Sequence, residues 1–120
     1  MRIIDPHVHV WINDPSFPWP IETTDPPEDR TAEHLLELMD ANGVEKTVLV
    51  QPIFFRWDNS YAAHCIKKYP DRFMAVGRIN PEDPAAPDHL QMWKEEHDIH
   101  GQRLSPARDG VDDWFSGPLM

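Results

Sequence analysis

The stretch Ile3-Ile4-Asp5-Pro6-His7-Val8-His9-Val10-Trp11 alternates apolar and polar residues in the way that is typical of a β-strand. Because alternate side chains of a strand share a face, we expect Asp5, His7 and His9 to point one way, opposite an apolar face. Two imidazoles so placed can bind one divalent metal, with Asp5 as a further ligand or as an acceptor for a ring N–H. The alternative is a His-x-His spacing that arose by chance.

Composition narrows the class of protein. The chain has 120 residues, a formal net charge of −10 at pH 7 and one cysteine. This length suits one domain, 1–120, and the charge disfavours binding to nucleic acid or anionic membranes. Cys65 has no partner for an intrachain disulfide, and neither a signal peptide nor a membrane-spanning run is recognisable. We therefore expect a cytoplasmic location.

Strands and helices alternate along the rest of the sequence. The first predicted helix is capped by Thr31, runs to about Asn42 and is ended by Gly43. The elements that follow are a strand over Lys46–Gln51, a helix capped by Asp58 or Asn59 and stopped by Pro70, a strand over Phe73–Ile79, a helix to about His97, a strand over Ile99–Leu104, and the start of a helix at Asp112–Phe115. This order predicts an α/β fold with a parallel sheet and right-handed crossovers. At about 30 residues per unit, it corresponds to the N-terminal half, about four β/α units, of a (β/α)8 TIM barrel of about 250 residues.

Three positions outside the histidine pair are candidate substrate contacts. Trp19 lies with Phe17 in a proline-rich loop, where it forms a wall of the site or covers the edge of the core. Gln51 ends the second strand at the edge that carries the histidines, so it reaches a substrate or bonds to the loop backbone. Arg103 lies in the fourth strand, where it binds a substrate anion bidentately or forms a structural ion pair.

Helical spacing assigns other side chains to the core. Tyr61, Cys65 and Tyr69 recur four residues apart in the second helix, so Cys65 is interpreted as a core residue and not as a nucleophile. In the third helix the same spacing predicts that Leu90 and Trp93 face inward.

Five segments, taken in order, resemble the amidohydrolase-related proteins of the metal-dependent hydrolase superfamily. Within it they most resemble the lactonase branch, which acts on sugar lactones and dicarboxylate lactones. The segments are Ile4–Trp11, Phe17–Trp19, Val48–Pro52, Tyr69–Phe73 and Gly101–Leu104. The resemblance implies a (β/α)8 barrel whose catalytic centre is a divalent metal, commonly zinc.

The same resemblance implies roles for individual residues. His7 and His9 match the metal ligands of the first strand, and Arg103 matches an arginine that often contacts an anionic substrate. The remaining His ligands and the general-base Asp belong to later strands, and the base is expected beyond residue 120. No Lys or Glu that bridges two metals stands in Ile99–Leu104, so one zinc is implied. The implied reaction is hydrolysis of a small-molecule lactone or related cyclic ester.

Two alternatives stay open. The same superfamily contains metal-dependent decarboxylases with the same His pair, although Phe17-Pro18-Trp19 favours the lactonase branch. The second alternative is an inactive, truncated half-barrel. Four parallel strands leave two open edges and an incompletely covered sheet, so such a chain is expected to form a homo-oligomer through its exposed edges.

Overall fold

The computed structural model describes residues 2–19 and 28–104. The elements in these ranges are β1 (Ile4–Val8), α1 (Ala32–Asn42), β2 (Lys46–Val50), a short 3-10 helix (Ile53–Phe55), α2 (Ser60–Lys68), β3 (Phe73–Gly77), α3 (Ala86–His97) and β4 (Gly101–Gln102). The predicted helix at Asp112–Phe115 lies outside the described residues. No helix within the described ranges is long and apolar enough to cross a bilayer.

The strands form one sheet in the order β1-β2-β3-β4, and each neighbouring pair is parallel. This confirms the predicted α/β class and the alternation of strands with helices. β4 is shorter than the predicted Ile99–Leu104 strand, because only Gly101 and Gln102 pair with β3. The carboxyl ends of all four strands meet at one edge of the sheet.

One face of the sheet is covered and the other is open. Leu49 of β2 and Ala75 of β3 are Cα partners, and both are buried under the helices. On the opposite face Met74 is 62% exposed and Ile4 is 57% exposed. The open apolar face agrees with the expectation that four β/α units leave their sheet incompletely covered.

The helix ends follow local sequence signals, and at α2 one of the two predicted capping residues bonds to the first turn. Thr31 Oγ1 accepts from the backbone N–H of His34 at 3.2 Å, and Gly43 ends α1 with a left-handed φ of 69°. At α2 the first turn is bonded to Asp58, whose Oδ1 accepts from the backbone N–H of Ser60 at 2.9 Å. The other predicted cap, Asn59, makes no side-chain capping bond.

The predicted core residues of α2 are confirmed, and one of α3 is wrong. Tyr61 and Cys65 are buried, and burial raises the pKa of the Cys65 thiol to about 12. Trp93 packs against the core cluster, whereas Leu90 is 39% exposed. Residues three apart on a helix are about 60° apart around its axis, so α3 buries Trp93 while Leu90 lies at the rim of the interface.

Candidate active site

The two histidines of the opening strand are neighbours at the carboxyl end of β1. The ring centroids of His7 and His9 lie 5.0 Å apart, and the ring planes are inclined at 82°. His7 is exposed and His9 is half-buried. The carboxyl end of a parallel strand is where barrel enzymes place their catalytic groups.

The orientation of His9 is fixed by β2. Its Nδ1 atom lies 2.7 Å from the backbone carbonyl oxygen of Val50. Because a carbonyl oxygen only accepts, Nδ1 must carry the proton, which leaves the Nε2 lone pair of the neutral ring available for a metal.

The described residues therefore provide part of the metal centre that the sequence predicts. His7 and His9 provide two imidazole donors, and the donor chemistry suits Zn²⁺. Within the described residues, no group of three or more His, Cys, Asp or Glu side chains is placed to hold a metal ion. A complete ligand set is thus not formed by residues 2–19 and 28–104 alone.

Asp5 does not share the face of the two histidines, so that part of the sequence prediction is wrong. Asp5 pairs with Thr47 and Val8 pairs with Leu49, a spacing of three residues in β1 against two in β2. This register shift is a bulge-type irregularity, which places one extra residue in β1. Since Thr47 and Leu49 point to the covered face, Asp5 and Val8 point there too, away from His7.

Pro6 supplies the physical reason for the bulge. Proline has no N–H for the ladder, and inside strands it is largely confined to edges, strand starts and bulges. The Asp5 carboxylate is engaged locally, because its Oδ1 accepts from the backbone N–H of His7 at 3.1 Å. Asp5 thus stabilises the bulge that directs the imidazoles, and strict alternation in sequence does not reveal this.

Arg103 faces a cavity at the same edge of the sheet. Its backbone N–H donates to Gly77 O at 2.8 Å, and its Nη1 donates to Gln51 O at 3.1 Å. No carboxylate forms an ion pair with it within the residues that the structure describes. The cavity has a volume of about 180 Å³ and is lined by His9, Trp11, Pro52, Ile53 and Arg103. Arg103 thus lines a cavity and forms no such ion pair among the described residues, while its contact with a substrate anion stays a prediction.

Gln51 bonds to the loop backbone, which is one of its two expected roles, and does not reach the surface where a substrate would bind. Its side chain is only 1% exposed, which leaves no surface for a ligand. Its Nε2 donates to the backbone carbonyl of Asp58 at 2.7 Å. The predicted substrate contact of Gln51 is therefore not supported, because the side chain is engaged with the loop that leads to α2.

Trp19 packs on the core and does not line the cavity. Its Nε1 donates to Ile12 O at 3.0 Å, and its ring meets Phe55 edge-to-face at a centroid distance of 5.9 Å. Phe17 similarly contacts Tyr61 at 5.2 Å. Covering the core, the alternative to a substrate wall, is thus what these two aromatics do in the structure.

Trp11 lines the cavity in place of Trp19, and sequence reasoning missed it. Its Nε1 donates to Glu28 O at 2.7 Å, and its backbone exchanges two hydrogen bonds with Arg30 at 2.8 and 3.0 Å. Trp11 follows His9 by two residues, so the alternation that singled out the imidazoles also pointed to this ring.

A second missed feature joins the start of α2 to the end of β3. The buried Asn59 amide donates from Nδ2 to Arg78 O at 2.9 Å and accepts at Oδ1 from Arg78 N at 2.8 Å. The Arg78 side chain is 1% exposed, and its guanidinium lies 4.6 Å from the ring centroid of Trp57. In the sequence, the sign of this feature is Arg78, a charged residue that directly follows the apolar strand β3.

Comparisons with known proteins agree with this arrangement. The amidohydrolase family model matches residues 4–118. The 4-sulfomuconolactone hydrolase of Hydrogenophaga intermedia is 31% identical over 91 residues, which make up 76% of this chain and 30% of that protein.

Two solved structures share the fold. A probable 2-pyrone-4,6-dicarboxylic acid hydrolase from Acinetobacter baumannii, solved with citric acid bound, has a TM-score of 0.69 at 26% identity and covers 87% of this chain. An apo structure from Agrobacterium tumefaciens has a TM-score of 0.68 at 20% identity over 86% of this chain, and at that identity it supports the fold alone.

The chain spans only part of each relative: 30% of the curated hydrolase, and 38% and 37% of the two structures. The described sheet thus corresponds to part of an amidohydrolase barrel. On the match of the family model to residues 4–118, this chain belongs to the amidohydrolase family.

Proposed function

We propose that the protein takes part in the metal-dependent hydrolysis of a lactone or related cyclic ester that carries an anionic group. The observation that carries the proposal is the cavity shared by His9 and Arg103. An imidazole side chain and an arginine side chain thus line the same small volume. The names of two relatives, a sulfomuconolactone hydrolase and a probable pyrone dicarboxylic acid hydrolase, agree in denoting ring substrates with acidic groups.

His7 and His9 are the residues that would hold one divalent metal, with zinc as the first choice. When bound, such an ion polarises an ester carbonyl for attack by water. The backbone carbonyl of Val50 contributes by keeping the His9 proton on Nδ1. The general base and the other ligands are proposed to come from residues outside those that the structure describes.

Arg103 is proposed to bind and orient the substrate anion. A guanidinium can donate two parallel hydrogen bonds to a carboxylate, which fixes the rotation of the substrate as well as its position. One donor of Arg103 is engaged by Gln51 O, so its side chain is already held before a ligand binds.

Trp11, Pro52 and Ile53 are proposed to contact the flat ring of the substrate. They give the cavity apolar walls next to its two polar groups. Apolar walls exclude water from the reacting ester and leave the polar contacts to fix orientation. This assigns to Trp11 the role that the sequence suggested for Trp19.

The test is an assay of the protein expressed in full from its native gene, so that the general base expected beyond residue 120 is present, with Zn²⁺ and 2-pyrone-4,6-dicarboxylate, following the loss of pyrone absorbance. We expect hydrolysis that falls by about 100-fold in Arg103→Gln, in line with about 3 kcal/mol for a charged hydrogen-bonded contact. Arg56→Gln is the matched control, because Arg56 is exposed and does not line the cavity. Absence of lactone hydrolysis together with release of CO₂ from an aromatic carboxylate would replace the proposal with the decarboxylase alternative.

A further inference from the structure

We propose that Gln51 is a positioning residue that sets the spacing between the metal ligand His9 and the anion-binding Arg103. This inference rests on the function proposed above. Gln51 is only 1% exposed, so it acts through the strand end that binds His9 and Arg103 and not on a ligand.

The first step is that one strand end supports both groups. Val50 O accepts from His9 Nδ1 at 2.7 Å, and the next carbonyl, Gln51 O, accepts from Arg103 Nη1 at 3.1 Å. These acceptors belong to consecutive residues. Successive carbonyls of an extended strand point to opposite sides, so one serves β1 and the other serves the β4 side.

The second step is that the side chain of Gln51 anchors this strand end. Its Nε2 donates to Asp58 O at 2.7 Å, and its backbone N–H donates to Val76 O of β3 at 2.9 Å. The next residue is Pro52, with φ of −66° and ψ of 151°, which has no N–H to continue the ladder. The side-chain amide therefore holds the residue that directly follows β2, where regular pairing stops.

The third step is the consequence of losing the anchor. Without the Gln51 amide, the two peptide groups that carry these carbonyls lose the side-chain anchor at the end of β2. The His9 and Arg103 hydrogen bonds then loosen together, because they depend on the same two peptide groups. Metal affinity and anion affinity should therefore fall in parallel. A residue that supported only the metal site or only the anion site would lower one affinity and leave the other unchanged.

The experiment compares Gln51→Met, which keeps the volume and removes the amide, with Gln51→Asn, which keeps the amide but is too short to reach Asp58. Thr47→Val is the matched control. Thr47 is in the same strand, is also 1% exposed and also donates a side-chain hydrogen bond, to Met39 Sδ at 3.4 Å, but at the opposite end. Zn²⁺ alone and isophthalate alone are titrated calorimetrically, and the His9 tautomer is read by 15N NMR on metal-free protein.

We expect each Gln51 variant to lose about 10-fold in both affinities, at the lower end of the effects known for partners of metal ligands. We also expect His9 to change from one tautomer to a mixture. Thr47→Val should keep both affinities and the single tautomer. Wild-type affinities in the Gln51 variants, loss of only one affinity, or equal losses in Thr47→Val would overturn the proposal.

The tautomer measurement separates this inference from the proposed function. If the wild-type protein binds neither Zn²⁺ nor isophthalate, the proposed function fails. In that case a single Nδ1–H tautomer that becomes mixed in Gln51→Met still supports the positioning role. An unchanged tautomer overturns the positioning role even where lactone hydrolysis is found.

Discussion

His9, the residue directly after β1, donates from Nδ1 to the backbone carbonyl of Val50 in β2 across 2.7 Å. The bond joins residues that are 41 positions apart in the chain, so it exists only once the two strands have paired. It makes the tautomer of His9, a proposed metal ligand, depend on the pairing of the two strands. The tautomer that the proposed metal site requires is therefore set by folding.

Replacing either histidine should weaken metal binding. Each imidazole is a proposed ligand, so His7→Gln and His9→Gln should each lower Zn²⁺ affinity. The loss should exceed the effect of removing only a ligand's hydrogen-bonded partner, which is about 10–100-fold. Isothermal titration of the purified protein measures this. His97→Gln is the control, because His97 is the last residue of α3, at the end of the helix that leads back to the start of β4. Equal losses in all three variants would mean that Zn²⁺ binds elsewhere.

Trp11 should discriminate flat rings from puckered ones. Isophthalate and cyclohexane-1,3-dicarboxylate carry the same two carboxylates, but only isophthalate can stack on an indole. Trp11→Leu should remove about 0.5–1.5 kcal/mol of preference for isophthalate, the value of an aromatic pair beyond its buried area. Calorimetric titration with both ligands measures the preference.

Trp19→Leu is the matched control for that prediction. Both indoles donate their Nε1–H to a backbone carbonyl, but Trp19 packs on Phe55 and does not line the cavity. A loss of ring preference in Trp19→Leu, with none in Trp11→Leu, would return the substrate wall to the residue that the sequence first suggested.

Local signals in the sequence predicted the elements of this fold well. Thr31 and Gly43 bound α1 as expected, because capping depends on residues that are close in the chain. The site was predicted less completely. The acceptor of Arg103 is 52 residues away, so its role could not be chosen from its neighbours. Pro6 was visible, but the bulge that it causes moved Asp5 to the other face only in the folded sheet.

Gly77→Ala should destabilise the protein. A Cβ at Gly77 would lie 2.9 Å from Cγ of the buried Asn59, whose amide is held by both backbone groups of Arg78. Such overpacking typically costs about 1–3 kcal/mol. Urea denaturation measures the free energy of unfolding. Gly101→Ala is a milder control, because its Cβ would meet only the Val76 side chain, with the nearest atom at 3.1 Å.

Stability should fall above pH 9, in part because of Cys65. Burial raises the pKa of its thiol from 9.0 to about 12. Below pH 9 the thiol is protonated in both states and has no effect on the pH dependence. Between pH 9 and 12 the unfolded state releases a proton that the folded state retains, so the free energy of unfolding decreases as pH rises. The slope from one proton is at most about 1.4 kcal/mol per pH unit.

Cys65→Ala should flatten this decline. Burial also raises the pKa of Tyr61, which adds a slope of the same sign above pH 10 in both proteins. The comparison of wild type with Cys65→Ala between pH 9 and 10 therefore isolates the thiol. Urea midpoints at each pH give the two slopes, and the absolute stabilities need not match. Parallel slopes would show that the thiol ionises equally easily in both states, which contradicts its interpretation as a core residue.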